Sequence, residues 1–426
     1  MKIATLPQDL DGLFYTKQDM YFVVQKDSSL AEWMVSIWNE DHLIQYSYPE
    51  LVEIDYDNEV EEIFEKSNLI FLLKEHNIHS FFCTRLLSPR LIDIAKKNTI
   101  RLVSTSHLLQ EKFNDKVWFD TFLLTNGFPS PKKLSCSSMD EMRNIQYPYV
   151  IQKKISDGAE GTYIIKNNVN FQKIVEIIKN EKLSNLLIRE YIDGGAYGIS
   201  ITISNDDVSL SSIRRQCYTQ EGHFIGVQWV STKSLSSKLS KNINQLFCRL
   251  GAVLYDANFR GYANIDFMID SNEEVYIIEC NPRCSAATLF LPFEKSITET
   301  NHEDILWSAL LDPIDKKQYT IHHMPQSSFE GALLHIDFDP ARIKKVQKVE
   351  KMGTYDFKNS FHILNTDIFS LSKSNPIYFF ITEAMMNEEY DTSTTLGYII
   401  SNRSLFNSEG NLNAIGIKTL HFFNYE

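Results

Sequence analysis

Residues 261–287, GYANIDFMIDSNEEVYIIECNPRCSAA, constrain the fold more tightly than any other stretch of the chain. Ile265, Phe267 and Ile269 alternate with Asn264, Asp266, Met268 and Asp270. The apolar run Val275 to Ile278 follows four polar residues, Ser271 to Glu274, so two strands joined by a short turn are expected. With 271–274 as the loop, Asp270 pairs with Val275. Counting back then sets Asp266 opposite Glu279 and Asn264 opposite Asn281. Because side chains alternate across a strand, Asp266, Glu279 and Asn281 share one face and Cys280 takes the other.

Two carboxylates opposed across a hairpin repel. At ~5 Å and an effective dielectric of ~20 the cost is roughly 3 kcal/mol. A cation between them removes that cost, and all-oxygen ligands suit Mg²⁺ or Mn²⁺. Arg283 adds a fixed positive fork two residues beyond Asn281, suited to a phosphate or carboxylate. Each carboxylate alone would be an ordinary solvated strand position. The constellation in register reads as a site for a metal-bound phosphate.

Asp266 followed by Glu279-Cys280-Asn281-Pro282-Arg283 closely resembles the metal-binding hairpin of the ATP-grasp ligases. In that superfamily an acidic residue precedes an E-x-N-x-R run by about a dozen positions. Pro282 and the small residues Ser285, Ala286 and Ala287 also fit. The resemblance implies that Asp266, Glu279 and Asn281 hold Mg²⁺ (or Mn²⁺) on ATP, with Arg283 on the transferred phosphoryl group.

Upstream, Asn114-Asp115-Lys116 precedes a helical pattern of Val117, Phe119, Phe122 and Leu123 that stops at Gly127, and Phe128 to Pro131 then runs extended. The passage is similar to the family's D-K, helix, G-x-P-x-P segment, which implies Lys116 on the ATP phosphates. Residues 147–165 read as strand, flexible loop, strand, with Gly158 and Gly161 giving a loop that could lay N–H groups over phosphates. The family places a lysine where this chain has Gln152, and Gln152 brings no charge. Lys154 shares the expected face of Gln152, whereas Lys153 points away. A Gln152→Lys replacement is expected to be tolerated. Residues 186–203 resemble the family's hinge strand, which implies that Arg189, Glu190, Tyr191 and Ile192 line the purine pocket. Arg214 and Arg215 are expected on opposite faces of a later strand, so that at most one reaches the cleft.

The resemblance covers about residues 110–300. It implies an α/β (α+β) chain with an ATP-grasp domain at 111–310. That domain divides into a nucleotide-clamping lobe at about 140–205 and a metal-binding lobe at about 206–310. Residues 1–110 form an N-terminal α/β domain on their own pattern. Tyr21 to Val24, Leu69 to Leu73, His79 to Cys83 and Ile100 to Val103 read as buried strands, and Ser29 to Trp38 and Leu91 to Lys97 as helices, which implies a mostly parallel sheet. Ile243 to Leu254 is an amphipathic helix and His302 to Leu311 another. Residues 327–426 read as mainly β, with strands at 329–336, 353–357, 377–382, 396–400 and 415–423.

A chain of 426 residues with 43% hydrophobic and 23% charged residues is an ordinary globular protein of two or three domains. The net charge of −13 argues against nucleic-acid or anionic-membrane partners. The start, MKIATLPQDL, lacks a long apolar segment, and no run approaches the ~20 residues of a membrane span. Six cysteines without a C-x-x-C pair read as reduced thiols, so a cytoplasmic setting is expected. The chemistry implied by the resemblance is phosphorylation of a small carboxylate by ATP and attack of an amine on the acyl phosphate, releasing ADP and phosphate. A carrier-protein thiol as acceptor, a carboxylase-type reaction on bicarbonate, and a non-catalytic ATP-binding regulator are the alternatives.

Overall fold

In a computed structural model, the structure describes residues 2–6, 20–26, 28–37, 40–48, 58–135, 139–156, 161–180, 185–219, 223–285, 288, 302–315, 318–326, 329–339, 341, 344–357, 360–365, 377–382, 384, 386–390 and 394–425. Gly158, Ala286 and Ala287 lie outside the described residues.

The N-terminal region holds β1 (Ile3–Thr5), β2 (Met20–Gln25), β3 (Leu43–Tyr46), β4 (Ser80–Phe82) and β5 (Arg101–Val103) in the order β3-β2-β1-β4-β5. Every pairing is parallel, as alternation with helices requires. One expectation fails here. Residues Leu69–Glu75 form a helix rather than a strand, because Leu69 and Leu73, four apart, are the buried pair while Phe71 faces solvent.

A small antiparallel sheet follows: β6 (Tyr149–Gln152), β7 (Thr162–Ile165) and β8 (Leu187–Glu190), ordered β7-β6-β8 and backed by the helix Asn168–Asn180. The chain then enters a sheet of twelve strands. These are β9 (Gly194–Ile203), β10 (Asp207–Leu210), β11 (Arg214–Tyr218), β12 (Phe224–Trp229), β13 (Gly261–Asp270), β14 (Val275–Asn281), β15 (Thr320–His322), β16 (Ala332–Phe338), β17 (Gly353–Phe357), β18 (Phe361–Asn365), β19 (Ile377–Thr382) and β20 (Thr394–Ser401). Its main path runs β14-β13-β9-β11-β12-β16-β20-β19-β17-β18, with β10 and β15 branching from β9.

The helix Ser237–Asp256 buries Ile243, Phe247, Leu250 and Leu254 beneath β9 and β13. The C-terminal strands do not make a sheet of their own, since β16 pairs directly with β12. A second expectation fails at Ala414–Phe423, which is a helix. Asn413 caps it, its side chain accepting from Ile415 N (3.0 Å) and Gly416 N (2.9 Å).

Candidate functional site

The hairpin β13–β14 has the register that opposes its carboxylates. Asp266 faces Glu279 and Asn264 faces Asn281. The route to that register differs from the expected one. The turn pairs Ile269 with Val275, so its loop spans 270–274, one residue longer than a loop over 271–274, and Asp270 closes it by accepting from Asn272 N (2.8 Å) and Glu274 N (2.9 Å). A bulge then inserts Ile278 between the pairs Phe267–Ile277 and Asp266–Glu279. The two offsets cancel. Ile278 and Glu279 both line the cleft, while Cys280 turns into the core, where burial pushes its thiol well up.

Amide groups organise the carboxylate pair. Asn264 Nδ2 donates to Asp266 Oδ1 (2.8 Å), and Asn281 Nδ2 to Asp266 Oδ2 (3.2 Å) and Glu279 Oε1 (3.5 Å). Arg214 Nη2 holds Asn264 Oδ1 (2.6 Å) from two strands away. It reaches across β9 at Gly198, where a Cβ would sit 3.3 Å from Asp266 Oδ1 and 3.6 Å from Arg214 Nη2. Burial, then the charge of Glu279, pushes the Asp266 carboxyl up to about 7. Both Arg214 and Arg215 line the cleft, contrary to the expectation of one. Arg215 does so from a rim position, donating to Ser408 O.

Lys116, the first residue of the helix Lys116–Thr125, is buried. Its Nζ meets Glu279 Oε2 (3.0 Å), Ser156 O (2.9 Å) and Ser156 Oγ (3.1 Å). Asp115 caps that helix and pairs with Lys154 Nζ (2.9 Å), so Lys154 is spent outside the cleft. The reason is local: β6 ends at Gln152, and strand alternation does not extend to residue 154. Gly161, at φ 70°, packs against the Lys153 side chain where a Cβ would come within 2.5 Å.

Gln152 is buried and has a cation beside it. Arg189 of β8 donates from Nη2 to Gln152 Oε1 and from Nη1 to Ile278 O (3.2 Å), and stands 3.7 Å from Asp120 Oδ1. Burial pushes the guanidinium down, while Asp120 and Glu279 favour its charged form. Both Gln152 and Arg189 line the cleft, so the positive charge at this point comes from residue 189 rather than 152. Sequence reading missed this because the two side chains meet across strands rather than along one.

A cleft of about 890 Å³ takes in Gln152, Arg189 and the carboxylate pair, whereas Lys116, Lys154 and Gly161 are not among the residues that line it. Gln152, Arg189, Glu190, Tyr191 and Ile192 line it together with Asp266, Glu279, Asn281 and Arg283. Leu333, His335 and Tyr398 of β16 and β20 line it as well, and no sequence motif pointed to them. Two carboxylates and an amide form a hard oxygen donor set. It is too sparse to cage a cation alone and suits Mg²⁺ that takes its remaining ligands from phosphates and water.

A family model described as ATP-grasp domain matches residues 113–287. The D-alanine–D-alanine ligase of Carboxydothermus hydrogenoformans is 22% identical over 287 residues, covering 63% of this chain and 89% of that protein. Three further curated relatives are spanned over only 64%, 24% and 30% of their lengths. The biotin carboxylase domain of Hydrogenobacter thermophilus 2-oxoglutarate carboxylase, solved with MgADP and bicarbonate, superimposes with a TM-score of 0.64 at 11% identity, over 94% of this chain and 85% of that one. An N5-carboxyaminoimidazole ribonucleotide synthetase solved with ADP gives a TM-score of 0.59 at 10% identity, over 99% and 96%. These likenesses extend past the family match into the C-terminal strands.

Proposed function

We propose that this chain, whose residues 113–287 are an ATP-grasp domain, is an ATP-dependent ligase that phosphorylates a small carboxylate and passes the acyl group to an amine, releasing ADP and phosphate. One observation carries the reading. The Asp266–Glu279 pair lies in the same cleft as residues 189–192 and Arg283, which would give nucleotide, metal and acyl phosphate contiguous places.

Mg²⁺ held by Asp266, Glu279 and Asn281 would neutralise charge on the phosphates. Lys116, which meets Glu279 Oε2, would add positive charge beside the metal-holding carboxylates. Arg283 would bind the phosphoryl group as it moves to the carboxylate. Arg189 supplies the charge that Gln152 lacks. Glu190, Tyr191 and Ile192 form the end that takes the purine.

The test is an ADP-release screen with carboxylates and amines, singly and in pairs, with mass spectrometry of the products. ADP and phosphate formed only with a carboxylate present support the reading. AMP and pyrophosphate would overturn it. Turnover with bicarbonate alone would move the chain to the carboxylase type, and ATP binding without turnover to a regulator.

A further inference from the structure

The large sheet carries the cleft face well beyond the metal hairpin. Cross-strand register puts Arg214, Gln216 and Tyr218 of β11 on one face, with Val227 of β12 opposite Gln216, Leu333 of β16 opposite Val227, and Tyr398 of β20 opposite His335. His335, two residues past Leu333, shares that face. A file of rings marks the path. Tyr218 lies close enough to Asp266 and Glu279 that, after burial, their charges help to raise its hydroxyl. Its ring meets Phe224 at 5.7 Å, Phe224 meets His335 edge-on at 4.9 Å, and His335 meets Tyr398 edge-on at 4.9 Å. All four rings line the cleft.

The imidazole of His335 is held in one tautomer. Thr395 donates its single hydroxyl hydrogen to Asp337 Oδ1 (2.6 Å) and so meets His335 Nδ1 (3.3 Å) as an acceptor. Nδ1 therefore carries the proton, and Nε2 keeps a lone pair. That Nε2 is buried and has no hydrogen-bond partner among the described residues. A buried acceptor without a donor is costly to keep. Burial also holds the imidazole down to about 4, so it stays neutral.

We propose that this end of the cleft is the acceptor subsite, taking an amine carried on an apolar or aromatic body, with His335 Nε2 accepting the amine N–H. A carboxylate in the same place would set its lone pairs against that of Nε2, whereas an uncharged amine supplies the missing donor. The walls of Phe224, Val227, Leu333 and Tyr398 suit an apolar body and disfavour a charged one. His335 is a binding and positioning residue here, and no proton passes to it.

The inference rests on the ligase reading, and the test separates the two. Hydroxylamine is a small acceptor that traps an acyl phosphate as a hydroxamate with release of phosphate. The wild type is run with the best carboxylate of the screen and either hydroxylamine or the best amine. If the wild type forms no hydroxamate and no amide, the ligase reading itself fails. If it forms them, His335→Phe, which keeps a ring and removes the lone pair, should lower the ratio of amide to hydroxamate at least tenfold and raise the KM for the amine. Tyr398→Ala should shift the preference among amines toward smaller bodies. An unchanged ratio and amine KM in His335→Phe, at unaltered thermal stability, would overturn the subsite. So would an amine series in which apolar bulk has no effect on KM.

Discussion

Gln152 shows how one side chain changes meaning once its neighbour across the sheet is known. Its carbonyl accepts from a buried Arg189, so Gln152→Lys sets an ammonium against a guanidinium in a dry site. The tolerance expected from sequence reverses: Gln152→Lys should lower the melting temperature and weaken ADP binding, both by more than Gln152→Met does, which calorimetry would check. Glu279→Gln or Asp266→Asn should cut ADP release at least ~10²-fold, about 2.7 kcal/mol of transition-state stabilisation. Cys280→Ser, on the core face, should cost stability rather than chemistry. The opposed carboxylate pair was legible because strand period and spacing are local facts. The cation at 189, the Arg214 reach across Gly198 and the lone pair of His335 were not, because each depends on strands brought together from far along the chain.

Elements repeat that division. The hairpin was found despite a turn misread by one residue, because a bulge restored the count. Its turn rests on two hydrogen bonds to the Asp270 carboxylate, so Asp270→Ala should lose about 1–3 kcal/mol in urea denaturation. Two apolar runs were misread as strands. Leu69–Glu75 shows a buried i, i+4 pair, and Ala414–Phe423 follows an Asn cap. Both cues were present in the sequence but are ambiguous in runs so short. Strand β16 brings a prediction of its own. Burial depresses His335 from 6.5 to about 4, with Asp337 reaching it through Thr395, His223 near Asp337, and Tyr398 against the ring. Between those pH values the unfolded chain binds a proton that the folded chain excludes. Stability is therefore full above about pH 6.5 and falls as the pH drops toward 4, by at most about 3 kcal/mol. The melting temperature of His335→Phe should fall less than that of the wild type between pH 7 and pH 5.

At the scale of the molecule, the twelve-stranded sheet joins the β13–β14 hairpin to the C-terminal strands without a break. Residues 1–326 alone would leave β12 with an open edge and uncover Val227 and Trp229, so that truncation should give aggregated material rather than a minimal nucleotide-binding unit. A monodisperse fragment that binds ADP would contradict this. The small sheet β7-β6-β8 stands apart, for among the described residues no strand of it pairs with the large sheet. It is tethered by side-chain and loop contacts such as Arg189 to Ile278 O and Lys116 N to Lys154 O (2.9 Å). Its backbone amides can therefore open to solvent deuterium as a unit while those of β9 and β13 remain protected. Nucleotide spanning the two sheets would slow that local exchange far more than it slows exchange in the C-terminal strands, so a binding event at one end of the cleft would be written as a time constant in three short strands.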